Sequence, residues 1–298
     1  MTDMAAKQIL NPVSPIGQTE QVSDSLLSRY ADLIYARTGI RISPQKKMLL
    51  SNRLRRRLRS TGIKTFEAYH EHLKKLPAHD PEWDAFIQEI TTHETYLFRD
   101  EAQWNWFRNE YLPSVAASHA SSRERPCLRI WSAACSTGDE AYTIACCVAA
   151  CLDLSRWQVR ILATDIGLGA LEQAKAGVFG TRAMRLVPPD YRHRFFTKAR
   201  GVEAWNAAPV LTEILTFRQH NLMEPLRERP FDLVLLKNVL IYFNERSKTT
   251  VLHNARATIR PGGMLVAGMA EGVADYLRDF QRLKSWLFCK PVQPGAQP

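Results

Sequence analysis

The chain of 298 residues is 45% hydrophobic and 23% charged, a composition that excludes disorder throughout and accommodates one large domain plus a small one. Its longest apolar stretch, at 144–152, is shorter than the ~20 residues that cross a membrane, and residues 1–20 lack the apolar core of a signal peptide. The six cysteines form no CxxC pair and have no histidine at zinc spacing, so no metal site is expected. We therefore predict a cytoplasmic protein without direct membrane insertion. The net charge of +10 favours an anionic partner.

The chain begins and ends with polar segments. Residues 1–21 are predicted to be a flexible leader and residues 291–298 a disordered tail, because neither carries a periodic apolar pattern. Between residues 22 and 90 the apolar residues recur at helical spacing, which predicts a small all-helical N-terminal domain. The remainder, 91–290, is predicted to form a second and larger domain.

A strongly basic helix is predicted within residues 41–60, which contain eight Lys or Arg and no Asp or Glu. Leu50, Leu54 and Leu58 recur every four residues, so they form an apolar stripe that faces a core. The remaining faces of this helix are therefore basic and exposed to solvent or to a partner.

Three arginines of this helix are candidates for binding an anionic partner. Arg56 and Arg59 point away from the leucine stripe, and Arg53 lies on its flank. So dense a patch without acidic neighbours favours either nucleic acid or an acidic protein surface. The charge pattern alone does not separate these two partners.

The larger domain shows strands alternating with helices, which predicts an α/β fold with a mostly parallel sheet. The predicted strands are short apolar runs, and buried parallel strands have this character. They are LRIWSAA at 128–134, QVRILATDI at 158–166, the start of FDLVLLKNVLIYF at 231–243, and MLVAGMA at 264–270. Residues 181–222 interrupt the alternation with prolines and short β-prone pieces, so we expect a small antiparallel subdomain inserted there.

Acidic residues at the ends of the first two predicted strands indicate the ligand. The turn SAACSTGDEAY after the first strand has one glycine, Gly138, so it does not match the glycine-rich cradle of a dinucleotide site. Asp139 and Glu140 suit a ligand that carries an ammonium group. Asp165 ends the second strand, where a carboxylate can accept hydrogen bonds from both hydroxyls of a ribose. These features favour S-adenosylmethionine over NAD.

Five ordered blocks resemble the CheR family of chemotaxis-receptor glutamate O-methyltransferases, across about residues 22–290. The blocks are GIRISPQKKMLLSNRLRRRLRSTGIKTFEAY at 39–69, TTHETYLFRD at 91–100, RIWSAACSTGDEAYTIA at 129–145, ILATDI at 161–166 and FDLVLLKNVLIYFN at 231–244. The resemblance implies a class I, Rossmann-like methyltransferase domain that uses S-adenosylmethionine and releases S-adenosylhomocysteine. It also implies a monomeric bacterial enzyme that is recruited to membrane receptor arrays.

The resemblance further implies which residues form the site. The cofactor pocket or its edge takes residues from these blocks and from one further dipeptide: His93, Thr95, Arg99, Ala134, Glu140, Asp165, Ile166, Asn221, Leu222, Asn238 and Val239. Arg99 and Tyr242 are implied to lie nearest the transferred methyl group and are assigned as catalytic. Arg53, Arg56 and Arg59 are implied to bind the acidic helices of a methyl-accepting chemoreceptor.

The implied chemistry suits these residues. A glutamate with an unperturbed pKa of about 4.3 is already a nucleophile at neutral pH and needs no general base. Arg99 can hold a carboxylate with two parallel hydrogen bonds, and Tyr242 can donate one near the sulfonium or the carboxylate. The sequence departs from the family pattern at His93, usually Asn, and at Lys237, usually Arg.

Two other functions are considered. One is a sensor or scaffold that binds adenosylmethionine without transferring its methyl group. The other is a nucleic-acid methyltransferase, which the basic charge favours. The proline-aromatic tetrapeptide expected of such an enzyme after the fourth strand is absent, since the chain reads KNVLIY at 237–242. We therefore predict no nucleic-acid partner.

Overall fold

The computed structural model describes residues 20–120 and 125–292. The predicted leader, 1–21, and the predicted tail, 291–298, lie almost entirely outside these residues. None of the helices in the described part of the chain has the length and apolar character needed to cross a membrane.

The first part of the described chain is all helical. Its four α-helices are α1 Asp24–Thr38, α2 Lys47–Thr61, α3 Phe66–Lys75 and α4 Pro81–Ile90, with a 3₁₀ turn at Pro44–Lys46 before α2. The Ser23 side chain accepts the Leu26 N–H at the start of α1, and Gly39 ends this helix in the left-handed region at φ 72°.

These helices enclose their own apolar core. Tyr30, Leu54 and Phe86, from three different helices, are completely buried in it. The leucine stripe of α2 faces this core as the sequence predicts. The arginines of α2 consequently lie on its other faces.

The second part contains a seven-stranded sheet with the order β6-β2-β1-β7-β8-β10-β9. The first five strands in this order are parallel, while β10 and β9 are antiparallel. The bounds are β1 Cys127–Ala133, β2 Gln158–Asp165, β6 Leu215–Gln219, β7 Phe231–Leu236, β8 Ile259–Ala267, β9 Gln281–Lys284 and β10 Leu287–Cys289. This order confirms the predicted Rossmann-like α/β fold.

Helices cover the sheet and complete the second part. They are α5 Glu101–Trp106, which continues through a π-helical turn at Phe107–Tyr111, α6 Leu112–Ser118, α7 Asp139–Cys151, α8 Leu168–Ala176, α9 Thr181–Met184, α10 Pro189–Phe195, α11 Pro209–Thr212 and α12 Glu245–Ala257. Buried alanines and cysteines of α7 let it pack closely against the sheet.

The small antiparallel sheet is present, but its bounds differ from the predicted 181–222. Its strands are β3 Val178–Gly180, β4 Phe196–Lys198 and β5 Ala204–Ala207, in the order β3-β5-β4. The segment Leu215–Gln219 instead pairs in parallel with β2 and forms the edge of the main sheet. A short β-prone run fits the edge of either sheet, so its partner is decided by tertiary contacts.

Direct hydrogen bonds attach the helical part to the sheet. The Arg41 N–H donates to the Tyr242 carbonyl at 3.0 Å, and the Asn221 side-chain amide donates to the Arg37 carbonyl at 2.9 Å. The Ala170 N–H donates to the Gln88 side-chain carbonyl at 3.1 Å. The helical part is therefore fixed over one end of the sheet.

Candidate active site

A cavity of about 450 Å³ lies between the helical part and the carboxyl ends of β1, β2 and β7. This is the edge of an open parallel sheet where ligands bind, and the volume is in the range of small-molecule sites. The structure brings together at this cavity all the residues that the resemblance assigns to the cofactor and to catalysis. They are His93, Thr95, Arg99, Ala134, Glu140, Asp165, Ile166, Asn221, Leu222, Asn238, Val239 and Tyr242.

The backbone around the cavity is held in unusual conformations. Ala134 follows β1 at φ 63°, Ser136 lies two residues later at φ 53°, and Asn238 follows β7 at φ 59°. Non-glycine residues in this left-handed region cost about 1–3 kcal/mol each and persist only where surrounding contacts enforce them. Contacts with neighbouring residues therefore hold these loops in place, and Asp165 provides one such contact to Ser136.

Asp165 is 6% exposed and joins two of the loops that border the cavity. Its Oδ2 accepts the Ser136 N–H at 2.8 Å, and its Oδ1 accepts the Gly167 N–H at 2.9 Å. A carboxylate oxygen can accept two hydrogen bonds, so each oxygen keeps one position for a ligand donor. This arrangement is suited to the two hydroxyls of a ribose.

A buried lysine lies between two carboxylates at the same edge. The side chain of Lys237 is 2% exposed, and its Nζ lies 3.2 Å from Asp100 Oδ2 and 3.6 Å from Glu140 Oε2. Burial raises the pKa of the Glu140 carboxyl, while Lys237 and the Ser132 hydroxyl, which donates to Glu140 at 2.8 Å, oppose that shift. One buried cation thus serves two acids, of which Glu140 lines the cavity.

Sequence reasoning identified Lys237 only as a departure from the family pattern and did not predict its partner Asp100. A signal was available, because a lysine that follows the buried strand β7 must have an acidic partner. Asp139, predicted with Glu140 to suit an ammonium group, does not line this cavity. Its side chain is buried and accepts the Thr137 hydroxyl at 2.7 Å.

His93 lies beside Asp165 in a setting that favours the neutral imidazole. Its Nε2 is 2.7 Å from the Thr91 hydroxyl, and a Cβ at Gly167 would lie only 2.9 Å from its Cε1. Burial lowers the pKa of His93, and the charge of Asp165 opposes that shift only in part. No group of three or more potential metal ligands occurs within residues 20–120 and 125–292.

Two arginines flank one aromatic ring at the cavity. The Arg185 guanidinium lies 3.7 Å from the centre of the Tyr96 ring, and that of Arg99 lies 5.7 Å from the same centre. In the described part of the chain Arg99 forms no ion pair, and its one side-chain hydrogen bond, to the Glu94 carbonyl, is long at 3.5 Å. Arg185, which the sequence did not indicate, adds a second positive charge to the lining.

The three arginines of α2 separate in the structure. Arg53 lines the cavity and donates to the Ile90 carbonyl and the Thr92 hydroxyl, so it is engaged inside the molecule. Arg56 forms an ion pair with Glu89. Only Arg59 of the three makes no hydrogen bond or ion pair among the residues described, and it is exposed. Arg53 is thus engaged inside the molecule, and its contact with a partner stays a prediction.

Comparisons with known proteins decide the family. Residues 93–288 match the family described as CheR methyltransferase, SAM binding domain, and residues 25–91 match its all-alpha domain. This protein belongs to the CheR methyltransferase family. The chain is 32% identical to the chemotaxis protein methyltransferase of Klebsiella aerogenes, over 94% of each chain. It is 35% identical to chemotaxis protein methyltransferase 2 of Pseudomonas aeruginosa, over 80% of this chain and 83% of that one.

As a CheR methyltransferase, the protein uses S-adenosylmethionine for methylation in chemotaxis, which confirms the predicted cofactor and function. The cavity fits this cofactor by the chemistry of its lining. Asp165 offers acceptors for hydroxyls, and Glu140 offers negative charge for an ammonium group. The cofactor supplies a methyl group activated by its sulfonium.

We predict that His93→Asn, which introduces the usual CheR residue, makes the enzyme less sensitive to acid. Native His93 resists protonation, whereas in the unfolded chain it binds a proton below its ordinary pKa of about 6.5. The unfolded state therefore gains protons first, and stability falls as the pH drops through that value. Melting temperatures between about pH 7.5 and 5.5 should fall more in the wild type than in the variant. Equal decreases would contradict this assignment.

We predict that Lys237→Met destabilises the protein by about 3 kcal/mol, because Asp100 and Glu140 would lose their shared buried cation. Lys237→Arg restores the usual CheR residue and keeps the charge, so its free energy of unfolding should change by no more than about 1 kcal/mol. Urea unfolding measures both. A methionine variant as stable as the arginine variant would show that the ion pairs are not needed.

Proposed function

We propose that this CheR methyltransferase forms methyl esters on glutamate side chains in the cytoplasmic helices of chemoreceptors. The observation that carries the proposal is Arg99, a guanidinium at the cofactor cavity without an ion pair in the described residues. A substrate carboxylate supplies the missing partner and, being ionised at neutral pH, needs no base to activate it. The names of the relatives, chemotaxis protein methyltransferases, support a substrate in that pathway.

The roles proposed for the site residues follow from this substrate. Arg99 orients the glutamate, and orientation of bound reactants can contribute ~7–11 kcal/mol to catalysis. Tyr242 is proposed to donate a hydrogen bond near the reacting groups. Two contacts hold it at the cavity: the Arg41 N–H donates to its carbonyl, and the centre of its ring lies 5.3 Å from Lys46 Nζ. Asp165 holds the ribose and Glu140 the ammonium group of the cofactor.

The remaining pocket roles are proposed from the same lining. Asn221 and Leu222 flank the adenine, while Asn238 and Val239 close the pocket beside the methionine portion. His93, Thr95, Ala134 and Ile166 complete the walls. Hydrogen bonds within the protein support these positions. The Asn221 side-chain amide donates to the Arg37 carbonyl, and the Val239 N–H donates to the Glu271 carboxylate.

The receptor is proposed to approach along α2. Arg59 is exposed, and the guanidinium of Arg56 remains half exposed although it pairs with Glu89. Charges at the rim of an interface steer and orient an oppositely charged partner, here an acidic receptor helix. We accordingly propose a monomeric cytoplasmic enzyme that is recruited to receptor arrays.

We predict that Arg99→Ala lowers the turnover number for methyl transfer at least about a hundredfold, because the substrate carboxylate loses its orientation. Its affinity for S-adenosylhomocysteine should stay within a few-fold of the wild type. Asp165→Ala is the matched variant and should instead weaken S-adenosylhomocysteine binding in calorimetry. The assay transfers tritiated methyl groups to receptor-enriched membranes and measures the volatile methanol that mild base releases.

The two variants and the chemical form of the product test different parts of the proposal. Unchanged turnover in Arg99→Ala would refute the role of that arginine. Label that resists mild base would rule out a methyl ester. Binding of S-adenosylhomocysteine without any methyl transfer by the wild type would favour a sensor.

We predict that Arg59→Glu raises the KM for receptor membranes severalfold, with a larger effect at low salt, and leaves cofactor affinity unchanged. Arg229→Glu is the control, since it makes the same charge change at an exposed position two residues before β7, at the opposite edge of the sheet. Equal effects of the two substitutions would mean that net charge, and not the α2 surface, governs receptor binding.

A further inference from the structure

A buried glutamate supports the cofactor cavity from outside. Glu271 is 1% exposed, follows β8 in the chain and does not line the cavity. Its Oε1 accepts the N–H of Val239 at 2.9 Å, across 32 positions of sequence. Val239 does line the cavity, so the carboxylate touches the site only through backbone.

The carboxylate faces several backbone donors of one segment. Burial raises the pKa of the Glu271 carboxyl, and the N–H groups of Val239, Asn238 and Ile241 together oppose that shift. Of these groups, the Val239 N–H is the one that lies within hydrogen-bond distance of the carboxylate, and Glu271 Oε2 has no hydrogen-bond partner among the described residues. The carboxylate therefore stabilises the conformation of the segment chiefly through its bond to Val239.

Gly268 makes this approach possible. A Cβ at position 268 would lie 2.9 Å from Glu271 Cγ and 3.0 Å from the Asn238 nitrogen. The first separation is shorter than Cβ atoms show, and the second is a tight contact with backbone, so a side chain at position 268 would displace Glu271 or the segment. The turn that brings Glu271 back towards the segment is closed by a bond from its own N–H to the Gly268 carbonyl at 3.3 Å.

Besides the bond to Glu271, the segment from 238 to 242 is held by the fully buried Leu240 and by the Arg41 N–H, which donates to the Tyr242 carbonyl. Asn238 occupies the left-handed region at φ 59°, which is unfavourable without enforcing contacts. A single 3₁₀ turn follows, Leu240–Tyr242, with the Tyr242 N–H bonded to the Val239 carbonyl at 3.1 Å. The N–H of Val239, the residue before this turn, donates to the Glu271 carboxylate and not to a backbone carbonyl.

We propose that Glu271 is a positioning residue that holds the 238–241 segment in the shape that binds the cofactor. It acts through the backbone and contacts neither the cofactor nor the receptor. This inference rests on the adenosylmethionine site and does not depend on whether glutamate is the methyl acceptor. Its failure is therefore separable from failure of the proposed receptor chemistry.

The test measures S-adenosylhomocysteine binding by calorimetry in Glu271→Ala and Glu271→Gln. Alanine leaves the Val239 N–H without its acceptor, so we expect the affinity to fall about tenfold or more. Glutamine keeps one acceptor oxygen for Val239 and should restore most of that loss, to within about threefold of the wild type. Hydrogen exchange of the segment 237–244 should accelerate in the alanine variant.

Asp232→Asn is the matched control. The Asp232 carboxylate accepts the Arg129 N–H at 2.7 Å, and it lies on β7 at the end opposite the cavity. We expect this variant to lose stability while cofactor affinity and exchange in 237–244 stay at wild-type values. Equal loss of affinity in Asp232→Asn and Glu271→Ala would overturn the proposal, because the effect would then be general destabilisation.

A second outcome also overturns the proposal, namely a folded Glu271→Ala enzyme with wild-type affinity and unchanged exchange. If the alanine variant does not fold, Glu271→Met takes its place, because methionine keeps the size of the side chain but offers no carboxylate oxygen to Val239. A loss of affinity with faster exchange in 237–244 in that variant supports the role of Glu271. Wild-type values for both measurements in the methionine variant refute it.

Discussion

Carboxylate side chains that accept backbone N–H groups hold the loops at the carboxyl ends of the sheet, and the active site depends on them. Asp165 binds the N–H groups of Ser136 and Gly167, and Glu271 binds that of Val239. A loop that leaves a parallel strand has backbone donors without strand partners, and burial makes each one costly unless an acceptor is supplied. Charged acceptors bind these donors about twice as strongly as neutral ones. They can therefore stabilise residues such as Ser136 and Asn238, whose backbone lies in the left-handed region beside the cavity.

Groups of both charges line one cavity. Near the strand ends Glu140 lines it and shares the buried Lys237 with Asp100. Basic groups from both parts, among them Arg53, Arg99 and Arg185, line the same cavity. S-adenosylmethionine, which carries a sulfonium and an ammonium group, thus meets an acidic group at this cavity.

Much of the site was predictable because strand ends and motif blocks are read directly from the chain. The parallel sheet and Asp165 after the second strand follow from local patterns, whereas Arg99 at the end of TTHETYLFRD was implied by the family resemblance. The edge strand Leu215–Gln219 was misassigned to the inserted sheet, because short β-prone runs do not encode their partner. Arg53 was predicted at the receptor surface from its flank position on α2, and that position did not predict the internal bond to the carbonyl of Ile90.

The sequence by itself determined the family, the cofactor class and the list of residues that meet at the cavity. Only the tertiary structure decided which charges are engaged and which remain available. Arg53, Arg56 and Arg59 look alike in the chain, yet one binds internally, one pairs with Glu89 and one makes neither contact among the described residues. Lys237 and Glu271 depend on partners more than thirty residues distant. Such pairings arise from folding many segments together, so no local pattern of residues specifies them.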